Sequence, residues 1–378
     1  GNNFAHGFAH YGPRYGDAIL ESVRRQAEHC DSPQSFFLMH SLGGGTGSGL
    51  GSYILGLLED DYPNIYRFDT CVFPSEDDDV ITSPYNAIMS LSQLTNHADA
   101  VLPLENQALA GIVERYASED QALDALLDAP GEGTRRRRSE GFRAMNDVAG
   151  RVLSDLTSSL RFPGDLNVDL NEITTNLVPF PRMHFLMSAA SPFAPRGSGS
   201  GQRHRRRSSF REMEQAAALG RPRSIRQLFS DVFQPYNQLV CEDLRDSRLL
   251  ACGLFARGPV GISDFSAQVR TLQKKLQFAD WNGEGFKVGQ CSVPSRDAPQ
   301  SLLCLSNSCA IRRPFKRMRA RFDALYRRKA MVHHYEEYME RDNFRESADI
   351  VDEVIQLYTD HENGVDGGHD IPLFAASF

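Results

Sequence analysis

At 378 residues, 41% hydrophobic and 24% charged, the chain has room for about two or three domains around a sizeable core. Its net charge of −8 argues against a nucleic-acid binder. The longest apolar stretches, 36–39 and 249–252, fall far short of the roughly 20 residues of a membrane span, and no secretory leader opens the chain at Gly1, so a soluble protein with no membrane partner is expected.

In chain order, residues 17–28 carry Ile19, Leu20, Val23 and Ala27 at helical spacing and stop at Asp31-Ser32-Pro33. Residues 35–41 predict a buried strand that runs into Gly43-Gly44-Gly45-Thr46-Gly47-Ser48-Gly49, after which 50–58 resume helical spacing. A second strand, 65–73, ends in the acidic loop 74–83. Pro84 then opens a helix over 84–95, and 101–103 form a short strand. Strand, loop and helix in this repeated order predict a parallel sheet with crossover helices and a ligand at the carboxyl ends of the strands.

Residues 113–141 turn charged and Arg-rich, a loop or insertion. Met145, Val148, Val152, Leu156 and Leu160 define a long helix, a spine between two domains, which stops at Arg161-Phe162-Pro163-Gly164. A capped helix near 167–176 and a strand at 184–187 follow, and 191–223 read as a flexible Ser, Gly and Arg loop. Strands at 249–256 and 300–306 and helices at 264–276, 314–334 and 348–358 complete the second half, with Trp281 expected in the core. Seven cysteines without a C-x-x-C pair read as reduced, mostly buried thiols of a cytosolic protein.

A strand feeding five glycines within seven residues, with a helix directly after, suits an anion. Glycine lets backbone N–H groups approach phosphate oxygens, the helix start adds partial positive charge, and Thr46 and Ser48 can donate hydroxyl bonds. The motif lacks the Gly-Lys-Ser/Thr of a P-loop and the spacing of a dinucleotide fingerprint. It matches letter for letter the phosphate signature of the tubulin family, which the chain resembles from Gly1-Asn2-Asn3-Phe4-Ala5 nearly to Tyr358. The segments 58–63, 78–86, 170–173 and 277–282 are most similar to the ε branch of that family.

The resemblance implies an α/β fold of the tubulin/FtsZ kind: a partial Rossmann-like parallel-sheet GTPase domain over 1–141, a central helix over 142–163, an α+β intermediate domain over 164–313 and carboxyl-terminal helices over 314–378. It implies GTP, held by Gly1, Asn2, Asn3, Gly43, Gly44, Gly45, Thr46, Gly47 and Ser48 at the phosphates, Asp79 at the ribose, Asn106 and Asn146 at guanine, and Phe142 stacked on the base where tubulins often have tyrosine. Mg2+ is expected with GTP. Its ligands belong to a further stretch of about two βα units that the family carries ahead of this loop. A sheet without that stretch's central first strand is expected to expose apolar surface and fold poorly alone.

Residues 161–172 resemble the loop and helix that complete the GTP site of the next subunit in a filament. Glu172 falls where α-tubulin has its catalytic acid and β-tubulin a lysine. Asp169, three residues earlier, can share its face, although acids in a first helical turn are often only dipole-favoured caps. The implied partners are α/β- and δ-tubulin and centriolar microtubules, in the cytoplasm, cytoskeleton and centriole or basal body. Two readings follow: a GTP-binding subunit that adds longitudinally to tubulin at its Glu172 end, and a non-polymerising partner of δ-tubulin for which GTP is structural. A metabolic dinucleotide enzyme is the third. Arg135–Arg138 and Arg203–Arg207 read as solvated loop charge, and His333-His334, about 100° apart on a helix, as no metal pair.

Overall fold

The computed structural model describes residues 2–75, 80–115, 137–164, 166–193, 223–283, 285–295 and 298–364. Its first layer is a parallel sheet of β1 (Ser35–Ser41), β2 (Tyr66–Phe73) and β3 (Ala100–Glu105) in that order. A π-helical turn, His6–Tyr11, leads into α1 (Gly12–Ala27), and the crossovers are α2 (Gly51–Asp61) and α3 (Ser83–His97). β2 and β3 are buried along nearly their whole length, as strands covered on both faces are, and β2 buries the polar Arg67, Asp69 and Thr70 among its apolar residues. β1 is outermost among the described strands, half-buried, with Met39 65% exposed.

The spine is α4 (Arg137–Leu156), extended by the turn Ser158–Arg161. Beyond it come α5 (Leu170–Leu177), β4 (Leu186–Ser191), α6 (Ile225–Val232), β5 (Leu249–Arg257), α7 (Ile262–Gln273), β6 (Phe286–Cys291) and β7 (Ser301–Ser308). The four strands form a mixed sheet in the order β4-β7-β5-β6, with only β5 and β6 parallel. At the end of the spine Asp155 and Arg257 form a buried ion pair of 2.8 Å that ties α4 to β5. Val101 N–H donates to His184 O at 2.9 Å, so β3 continues hydrogen bonding into the second half.

α8 (Arg312–Tyr326) and α9 (Asp342–Asn363) fold back over α3. Tyr85 on α3 receives Phe322, Tyr335 and Phe344 edge-on at 5.1–5.6 Å, and Phe315 bridges Phe73 and Phe185. Each ring, once buried, contributes about 1.5–3 kcal/mol, which explains why α3 is buried nearly all round instead of along one stripe. Gly364, at φ +70, ends α9 in the left-handed conformation that glycine adopts without strain.

Several expectations change. Trp281 is 39% exposed, because 280–282 form a 3-10 turn outside the sheet and the indole leans edge-on against Phe180 at 5.2 Å. The expected loop 113–141 is helical over 113–115 and again from Arg137, where the spine already begins. The expected helix 314–334 breaks after Tyr326, with Lys329 and Met331 at positive φ. The bend lets the rings of His333 and His334 lie 4.0 Å apart instead of diverging. Five of the seven cysteines are buried and all are free thiols; Cys30 and Cys241 are exposed. The Arg203–Arg207 run lies outside the described residues, as do most of the expected loops around it. No described helix is long and apolar enough to cross a membrane.

Candidate functional site

β1 ends at Ser41, and Leu42 N–H still donates to Val72 O on β2 at 3.0 Å, which holds the start of the glycine loop against the sheet. The chain then enters a π turn, Thr46–Leu50, capped by the backbone of Gly45 alone, and continues into α2. A helix start without a side-chain cap leaves N–H groups for an anion.

The glycines divide into two kinds. A Cβ on Gly45 would lie 2.5 Å from Asn3 N, on Gly47 2.4 Å from Ser41 O, and on Gly49 2.2 Å from Phe4 O. These three glycines are required by backbone packed on backbone, not by a phosphate. Gly44 is different: its Cβ would meet only Asn2 Oδ1, at 3.8 Å, so this side of the loop is open. Thr46 is exposed beside it, but Ser48 is buried and its hydroxyl donates to Gly44 O one helical turn back. The expected phosphate donor Ser48 is thereby engaged within the loop.

The amino-terminal segment is fixed to this loop by a residue that the sequence reading passed over. Asn86, fully buried on α3, accepts from Phe4 N–H at 2.9 Å and from the Tyr335 hydroxyl at 2.7 Å. Its amide donates to Asn2 O at 2.9 Å and to Gly43 O at 2.8 Å. One side chain thus joins the glycine loop, residues 2–4 and the 333–336 turn. Asn2, at φ +60, is exposed, whereas the Asn3 amide donates to His334 O at 2.8 Å and its oxygen accepts from His6 N–H.

Behind the loop, His40 on β1 and Asp69 on β2 form a buried pair, Nε2 to Oδ2 at 2.9 Å. Burial is the largest single influence on His40 and works against a charged imidazole, but the Asp69 hydrogen bond, the Asp69 charge and the backbone of Ser41 together exceed it, and His40 titrates above its ordinary value; burial pushes the Asp69 carboxyl up as well. Nearby, Arg321 on α8 donates to Ser75 O at 2.8 Å, anchoring the acidic loop that leaves β2.

Asn106 directly follows β3 and is half-buried at the carboxyl end of the same sheet. Phe142, 63% exposed, and Asn146, exposed, are one turn apart on α4 and share a face. Asp79 and Gly1 lie outside the described residues.

Asp169 and Glu172 do different things. Asp169 is the N-cap of α5, its carboxylate accepting from Glu172 N–H at 2.7 Å, so it does not point outward beside Glu172 as expected. The Glu172 carboxylate is 47% exposed, and its Oε1 lies 3.5 Å from Lys287 Nζ on β6. The loop before α5 is fastened to the same strand: Gln290 N–H donates to Leu166 O at 2.9 Å, and the Ser292 hydroxyl to Pro163 O at 3.0 Å.

Residues 1–114 match the Tubulin/FtsZ family, GTPase domain, and residues 181–320 the Tubulin C-terminal domain. The chain is 41% identical over 370 residues to the tubulin epsilon chain of Mus musculus, and 41% identical over 368 residues to that of Homo sapiens. Each match takes in 95% of this chain and 74% of the relative. With a parallel sheet ending in the glycine loop, a helical spine and a mixed second sheet covered by two helices, the chain belongs to the tubulin family of GTP-binding cytoskeletal proteins, as a homologue of the epsilon chains.

Proposed function

We propose that this chain binds GTP across the carboxyl ends of β1 to β3 and, as a longitudinal subunit in centriole or basal-body microtubule assembly, offers Glu172 to the γ-phosphate held by a neighbouring tubulin. The observation that carries the nucleotide half is the open side at Gly44, next to a helix start with no side-chain cap. The backbone N–H of Gly44 and the Thr46 hydroxyl suit phosphate oxygens there, whereas Gly43 N–H donates to the Ser41 hydroxyl at 3.3 Å. In this reading Asn106 and Asn146 face the guanine edge, Phe142 stacks on the base and Asp79 accepts from the ribose. Mg2+ accompanies the GTP in this reading, held chiefly by the phosphates.

The acid half assigns Glu172 to a water. Its carboxylate takes a proton as the water oxygen bonds to the γ-phosphorus and the bond to the β–γ bridging oxygen breaks, leaving GDP and phosphate on the neighbour. The partners are α/β-tubulin and, at centriolar microtubules, δ-tubulin.

Two measurements test this reading. The purified chain should retain guanine nucleotide in preference to adenine nucleotides or dinucleotides, and a preference for a dinucleotide overturns it. With α/β-tubulin the chain should stimulate GTP turnover, and Glu172→Ala should remove the stimulation. If Glu172→Ala changes neither turnover nor co-assembly, GTP is a structural ligand of a non-polymerising partner.

A further inference from the structure

We infer that Lys287 is a positioning residue for Glu172, holding the carboxylate in the orientation in which a neighbour meets it; the inference rests on the acid role proposed above. Glu172 stands in the first turn of an eight-residue helix with its carboxylate half in solvent. A long side chain in that setting samples several rotamers, and holding it in one costs entropy that a fixed partner must offset. The cap does not supply that partner, because the Asp169 carboxylate is engaged by the Glu172 amide.

Lys287 does supply it. Its ammonium lies 3.5 Å from Oε1, on a side chain only 25% exposed, which leaves Oε2 for a water. The strand beneath it is held to the sheet by β5, with which β6 pairs in parallel, Lys287 opposite Gly253. The same strand holds the loop that precedes the acid. Leu166 and Pro163 are hydrogen-bonded to Gln290 and Ser292, and a Cβ on Gly164 would lie 2.3 Å from Gln290 O. Loop, acid and cation are therefore mounted on one frame, so the distance from Lys287 to Glu172 does not depend on where the loop drifts. A half-exposed ion pair adds little to folding stability, so the consequence of this arrangement is orientation.

The test measures GTP turnover of α/β-tubulin against the concentration of this chain, for the parent, Lys287→Met, Lys287→Arg and Glu172→Ala. Lys287→Met should lower the maximal stimulation of turnover about 10-fold with the half-saturating concentration and the thermal midpoint unchanged, and Lys287→Arg should recover most of the loss. If Glu172→Ala abolishes the stimulation of turnover while Lys287→Met keeps the parental stimulation, the positioning role is wrong and the acid role stands. Equal losses in Lys287→Met and Lys287→Arg, or a loss confined to the half-saturating concentration, also overturn it, because Lys287 is then a packing or docking contact. If Glu172→Ala leaves turnover intact, the acid role and this inference fall together.

Discussion

The glycine loop is assembled from backbone, with Gly45, Gly47 and Gly49 each making way for an atom of Asn3, Ser41 or Phe4, whereas the acid-bearing turn is assembled from side chains, with Asp169 capping, Lys287 pairing and Ser292 tethering. Backbone packed on backbone has no rotamer with which to yield, so a single methyl group there must displace the chain. Side-chain scaffolding loses one contact at a time. The first region should therefore show large, all-or-none effects on folding, and the second small effects on folding with larger ones on chemistry.

Asn86→Ala gives the largest effect expected. It strips partners from Phe4 N–H, Asn2 O, Gly43 O and the Tyr335 hydroxyl at one buried point, for a loss of about 4 kcal/mol in denaturant unfolding. A loss below about 1 kcal/mol would mean that the loop does not depend on this side chain.

Gly49→Ala comes next, at about 3 kcal/mol, because its methyl group meets Phe4 O. Gly44→Ala is its control. Gly44 is not at positive φ and faces open space, so stability should stay within about 1 kcal/mol while guanine-nucleotide affinity falls. Equal destabilisation by the two substitutions would erase the division of the glycines.

In the second region Asp169→Ala should cost about 1 kcal/mol as a lost cap, and Glu172→Ala no more than about 0.5 kcal/mol. The order inverts for turnover, where Glu172→Ala has the greater effect. Thermal and kinetic measurements on the same two proteins check both orders.

How much of this was legible follows the same divide. The β1, glycine-loop and α2 succession could be read from local order alone, because five glycines between a strand and a helix permit little else. That Gly45 and Gly49 serve packing could not, since Asn3 and Phe4 lie far off in sequence, and Gly47 meets the nearby Ser41 only once the loop has folded back on the end of β1. Asn86 looked like one polar residue in a helix; its role exists only once four segments converge. Lys287 is invisible for the same reason. Asn106, Phe142 and Asn146 stood out through family resemblance, with no physical pattern of their own. Trp281, expected in the core, differs because a turn outside the sheet leaves a face of the indole in solvent.

The smallest effect expected is one of pH, and it contrasts the two halves of the molecule through one histidine in each. His40 titrates above its ordinary 6.5 in the folded chain, so its stabilisation is complete below that value and is lost as pH rises through the folded pKa. Asp69, raised from 3.8 by burial, acts in the same sense, because the folded chain holds that proton longer than the unfolded one. His184 opposes them. Buried beside Leu94 O, it is lowered to about 4, so its contribution is present above 6.5 and is lost as pH falls toward 4. Replacing the first pair by the neutral His40→Gln/Asp69→Asn should flatten the decline in stability as pH rises, and His184→Gln should flatten the loss as pH falls from 6.5 toward 4. Denaturant unfolding between pH 4 and 8.5 on the two variants separates the limbs, and a decline above 6.5 that survives the double substitution would assign it to groups other than the pair behind the glycine loop.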